Sequence, residues 1–60
     1  MLANPSRPVE LLHDGQWVKG WVEAYRRDGD GWRAMVRYST APGMTYLQWR
    51  GDVDVRRRDQ

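Results

Sequence analysis

Residues 17–26 read WVKGWVEAYR, and their alternation constrains the fold more than any other feature of the chain. Successive side chains of an extended strand point to opposite sides, so Val18, Gly20, Val22 and Ala24 share one face. Trp17, Lys19, Trp21, Glu23 and Tyr25 share the other. The first set is small and apolar, as the curved interior of a small sheet requires where another strand crosses closely. The second mixes rings with charges and is expected to face outward. No helical period competes with this reading.

Turn chemistry divides the rest of the chain into pieces of similar length. HDGQ at 13–16 and RDGDG at 27–31 carry Asp-Gly pairs, which favour the positive φ of tight reversals. TAPG at 40–43 breaks the next run, and GDVD at 51–54 suits a single 3-10 turn. Pro5 and Pro8 make residues 1–8 an extended lead-in that cannot begin a helix. The strands expected between these signals cover 9–12, 17–26, 32–40, 45–50 and 55–57. In the third, Trp32, Ala34, Val36 and Tyr38 oppose Arg33, Met35 and Arg37. In the fourth, Leu47 and Trp49 oppose Tyr46, Gln48 and Arg50. Five short strands with turns between them predict an all-β domain, a five-stranded antiparallel small barrel over 9–57, followed by a tail at 58–60. Its expected interior is Val22, Ala24, Ala34, Val36, Leu47, Trp49 and Val55.

A chain of 60 residues makes one domain, and a domain of that size buries only about 60% of the surface its unfolded form exposes. With no cysteine, neither a disulfide nor a thiolate zinc site can staple it. Four Trp and three Tyr, with no Phe and no Ile, give most large apolar side chains a polar handle suited to half-exposed positions. The N-terminal residues contain no apolar run of the length a signal peptide or membrane span requires, so the expected location is the cytoplasm. Nine Arg against one Lys, without Ile, fits a GC-rich bacterial coding sequence. The net charge is +2, and acidic residues are interspersed with basic ones, which makes a mildly basic surface and not a polycation. The one dense cluster is Arg56, Arg57 and Arg58.

Catalytic and metal chemistry find little support. Nucleophilic schemes need a base beside Ser, Thr or Cys; the one His, His13, falls in an expected turn and reads as exposed. The carboxylate pairs Asp28 with Asp30 and Asp52 with Asp54 fall in turns, where Asp serves local backbone hydrogen bonding. A calcium loop starting at Asp28 would need an oxygen ligand at its fifth position, Gly at its sixth and Glu at its twelfth. Trp32, Arg33 and Ser39 stand there instead. No glycine-rich phosphate loop leads into a helix. The expectation is a protein that is not an enzyme and takes no cofactor and no metal.

The segments DGQWVKGWV, VRYS and YLQWRGDVDVRR resemble the Tudor-like and SH3-like small barrels, across about residues 9–57. The chain is also similar to short uncharacterised actinobacterial proteins with RYS, PG and LxW segments. The resemblance implies a barrel scaffold whose usual uses are binding peptides and nucleic acids. It does not carry over the methyl-reading aromatic box, because the matching positions hold Leu12, Val18, Tyr38 and Ala41, and several rings must converge on a cation. It does not carry over proline-motif recognition either, since residues 51–54 lack the family's proline and tyrosine.

The candidate binding surface combines Trp17, Trp21 and Tyr25 of the second strand with Arg33, Met35 and Arg37 of the third. Tyr38 and the cluster Arg56, Arg57 and Arg58 complete it. Trp, Tyr, Met and Arg are enriched in interface cores, so the leading expectation is a protein-interaction module, by self-association or with another protein. The alternative is weak, sequence-tolerant binding of DNA or RNA, with rings stacking on bases and arginines meeting phosphates. A third reading has the rings only shield a thin core beneath long Arg side chains.

Overall fold

The computed structural model describes residues 1–58. Five antiparallel strands form one sheet: β1 (Leu2–His13), β2 (Gln16–Asp28), β3 (Gly31–Ala41), β4 (Met44–Gly51) and β5 (Val55–Arg57). A 3-10 turn, Asp52–Asp54, precedes β5. The strand order is β4-β3-β2-β1-β5, so each hairpin lies beside the next and the chain returns to pair β5 with β1. β4 and β5 are the two edges, and the sheet is not closed. No helix among the described residues is long and apolar enough to cross a membrane.

The three hairpins follow their turn residues. His13 pairs with Gln16 across Asp14 and Gly15, both at positive φ (50° and 77°), the pattern of a two-residue type I′ loop whose twist matches its strands. Asp28 pairs with Gly31 across the second two-residue loop. Pro42 and Gly43, the latter at φ 79°, join Ala41 to Met44 in the order a type II turn favours.

One face of the sheet holds the core. Val9, Leu11, Val22, Ala34, Val36 and Tyr38 are buried, with Ala3, Val18, Tyr25, Tyr46 and Val55 packed against them. Gly20 is where the strands crowd most closely. A Cβ there would lie 3.0 Å from the Arg37 carbonyl oxygen and from Val36 Cγ1, and 3.1 Å from Leu11 Cδ2. The small residue expected at this crossing is therefore required by contact.

Three expectations need correction. β1 starts at Leu2, so most of the 1–8 lead-in is itself strand. Its start is pinned by the Met1 ammonium, which donates to the Tyr25 carbonyl at 2.7 Å, and by the Tyr25 N–H, which donates to the Met1 carbonyl at 2.7 Å. On β2, Val22 pairs with Val36 but Ala24 pairs with Met35, leaving Glu23 as one extra residue. That bulge turns Ala24 to the outer face and Tyr25 to the core, against the unbroken alternation expected. On the third hairpin, Ala41 pairs with Met44 but Ser39 pairs with Thr45, so Thr40 is also extra. A regular ladder from the same turn would set Tyr38 opposite Leu47; the bulge sets it opposite Tyr46. The slip of one exchanges the faces of β4: Tyr46, Gln48 and Arg50 lie on the core side, while Leu47 and Trp49 lie on the outer face and Leu47 is 58% exposed. The expected interior thus holds at Val22, Ala34 and Val36, is half-buried at Val55, and fails at Ala24, Leu47 and Trp49.

Candidate interaction surface

The outer face spans the whole sheet. By register, Trp17, Lys19 and Trp21 of β2 lie beside Leu12, Glu10 and Pro8 of β1, and Trp21 pairs with Arg37 on the other side. Met35 and Arg37 of β3 pair in turn with Trp49 and Leu47 of β4. Arg56 of β5 pairs with Glu10, and its Nε donates to Glu10 Oε1 at 2.9 Å.

Every tryptophan carries an arginine. Arg56 lies over Trp17 at 4.0 Å from the ring centre, Arg58 over Trp21 at 4.9 Å, Arg26 over Trp49 at 4.6 Å and Arg27 over Trp32 at 5.4 Å. About one such pair is usual per 70 to 80 residues. The rings remain partly open, with Trp17, Trp21 and Trp32 at 37%, 39% and 48% exposure. A planar ligand that stacked on one of them would have to displace the guanidinium already there.

Acidic residues are distributed among the arginines. Glu23 at the bulge accepts a short hydrogen bond from Ser6 Oγ and lies 3.7 Å from Arg37 Nε. Arg33 Nε donates to Asp28 Oδ2 beside the second hairpin loop. That hydrogen bond, and the charge of Arg33, hold the Asp28 carboxyl below the usual carboxylate range and raise Arg33 further above neutrality.

No protein-family model, curated protein or solved structure matches the chain. The surface is therefore read from its own geometry. Of the residues expected to form it, Trp17, Trp21, Met35, Arg37 and Arg56 share the outer face, with Arg58 lying over Trp21 and Arg33 at the same register. Tyr25 packs on the core behind the Glu23 bulge, and Tyr38 is 2% exposed, so neither ring contributes to the surface. Arg57 pairs with Val9 and belongs to the core side. Of the 58–60 tail, Arg58 is described, and positions 59 and 60 lie outside the described residues. Leu47 and Trp49 join the surface in place of the two tyrosines. The signal for them was already present, since each alternates with the polar Gln48, but it gave no sign of which set faced in.

His13 also departs from expectation. Because the loop is Asp14 and Gly15 alone, His13 is the last residue of β1, on the core side and half-buried. Its ring lies 5.5 Å from those of Tyr38 and Tyr46, which stack on each other at 5.1 Å. The Tyr38 hydroxyl donates to Gln48 Oε1 at 3.1 Å, accepts from Arg50 Nη2 at 3.3 Å and lies 3.2 Å from His13 Nδ1. Arg50 also donates to Gln48 Oε1 and to the Leu12 carbonyl, and lies 3.8 Å from Asp54. The arginine thereby ties β4 to the end of β1 and to the 3-10 turn. No buried side-chain polar atom among the described residues lacks a partner, which suits a polar end-plug for the core more than a reactive centre.

Proposed function

We propose that the protein is a non-catalytic binding module on an SH3-like, Tudor-like scaffold that engages another protein, or a second copy of itself, through the outer face and the free edge of β4. The scaffold reading is supported by the strand order and by the 3-10 turn ahead of a short last strand that returns to β1. The observation that carries the functional reading is the placement of Leu47 and Trp49 outward beside Met35, Arg37 and Trp21, along a strand of eight residues whose outer edge is unpaired. Aromatic, Met and Arg side chains supply the contact area. An unpaired strand edge supplies a row of backbone donors and acceptors to an added strand.

The test compares Leu47→Lys and Trp21→Ala with Trp32→Ala, a ring on the opposite face, in sedimentation and in capture from the native lysate. Loss of association in the first two with retention in the third supports the reading, and equal behaviour of all three rejects it. An apolar interface should persist at high salt.

A second reading has one specific observation in its favour. Lys19, Arg56, Arg57 and Arg58 surround a hollow of about 510 Å³ whose only acidic lining residue among the described residues is Glu10, a concentration of charge suited to phosphates. On that reading, binding of a labelled single strand falls steeply with salt, each neutralised phosphate adding about −0.7 to the log–log slope. Replacing the three arginines flattens that slope.

A further inference from the structure

The open side of the sheet leaves a second feature, on the face away from Leu47 and Trp21. A cleft of about 630 Å³ lies between β5 and the first half of β3. This is within the size range of sites that hold small organic ligands, roughly 300 to 1,000 Å³. Val9, Val22, Ala34 and Val55 of the core form its floor, with Tyr25 and Trp32 at the side. Its mouth is lined by arginines, and among the described residues Asp52 is the only carboxylate in its lining.

Three of the six lining arginines are already paired with carboxylates, and Arg58 lies over Trp21. Arg33 is paired with Asp28, Arg50 with Asp54 and Arg56 with Glu10. Arg7 and Arg57 take part in no ion pair among the described residues. Register puts both on the core side, because Arg7 pairs with Val22 and Arg57 pairs with Val9. Both side chains are exposed. Among the described residues, two guanidiniums without carboxylate partners therefore flank the apolar floor of the cleft.

We propose that this cleft binds a small anionic amphiphile: a carboxylate, sulfonate or phosphate monoester on a compact apolar body of one or two rings. The body occupies the floor beside Trp32 and Tyr25. The anion is held at the mouth by Arg7 and Arg57, whose planar forks match the oxygens of such a group. A neutral molecule of the same shape gains the floor but not the charge-assisted hydrogen bonds. Arg33, Arg56 and Arg58 border both the cleft and the outer face, but the cleft floor and Arg7 and Arg57 lie on the core side, so its occupancy does not depend on the protein-binding reading.

The probe is 1-naphthoate, with 1-naphthalenemethanol as its neutral counterpart, each titrated into the full chain and followed by backbone and indole N–H chemical shifts. The expected result is saturable one-to-one binding of naphthoate, with shifts concentrated at Val9, Tyr25, Trp32 and Val55. The neutral counterpart should bind about tenfold more weakly or worse, as should naphthoate to the Arg7→Ala/Arg57→Ala double variant, each by the loss of charge-assisted hydrogen bonds. Both substitutions are at exposed positions, and the neutral probe tests the same point on the unaltered chain. Equal affinity for the two probes, unchanged affinity in the double variant, shifts confined to Trp17, Trp21 and Leu47, or absence of saturation at millimolar probe would each overturn the proposal. Loss of naphthoate binding in Leu47→Lys would overturn the separateness of the two faces, whereas failure of protein association alone leaves the cleft intact.

Discussion

The hydroxyl of Tyr38 has three partners on three side chains, and it does so at a position that is almost wholly buried. Removing it in Tyr38→Phe keeps the ring stacked on Tyr46 but leaves Arg50 and His13 short of a partner, at an expected cost of about 1 to 3 kcal/mol in denaturant unfolding. Val36 has no exposed surface, so Val36→Asp is expected to unfold the protein, read as loss of the strand signal in circular dichroism. Asp28 gives a milder case with a definite sign. Its folded carboxyl is held lower than its unfolded one by Arg33, so its contribution is complete above the unfolded value and disappears as pH falls through the folded value. Asp28→Asn should therefore narrow the gap in stability between neutral and acidic solution. Because the pair is on the surface, the difference between the two proteins should shrink further in high salt.

At the scale of the element, period-two alternation was legible wherever a strand is regular, and two extra residues limit how far it extends. Between Trp17 and Val22 the expected faces are those observed. Past Glu23 they are exchanged, and past Thr40 the whole of β4 is exchanged with them. Neither residue announces a bulge, since Glu and Thr are ordinary strand side chains. What selects the shifted register is packing: Tyr46 stacks on Tyr38, and Gln48 and Arg50 saturate its hydroxyl, contacts that a local pattern does not contain. The turns were legible because their chemistry is local to Asp-Gly and Pro-Gly. Gly20 was legible for the same reason as the regular half of β2, and it yields a prediction. Gly20→Ala forces atoms of Val36, Leu11 and the Arg37 carbonyl apart and should destabilise by about 1 kcal/mol or more, with Gly20→Val worse, as overpacking of a closed site does. Equal stability of Gly20→Val and the unaltered chain in urea would show that β2 and β3 can separate at this crossing.

For the molecule as a whole, the chain answers the shortage of core in a small domain by covering indoles with guanidiniums. Arg26, Arg27, Arg56 and Arg58 each lie over a ring, so an arginine replaced by alanine removes a lid as well as a charge. Arg56→Ala should red-shift and quench the fluorescence of Trp17, whereas Arg57→Ala, which lies over no ring, should not. The two sheet edges are unequal, eight residues on β4 and three on β5. That inequality governs the symmetry of any assembly the sheet can build from itself. Joining β4 to β5 of the next copy would be a heterologous contact able to repeat without end, but it has only a three-residue ladder to hold it. Joining β4 to β4 about a two-fold axis uses the longer edge on both sides and consumes it, so the contact is isologous and closed. Sedimentation at rising concentration should accordingly stop at a dimer.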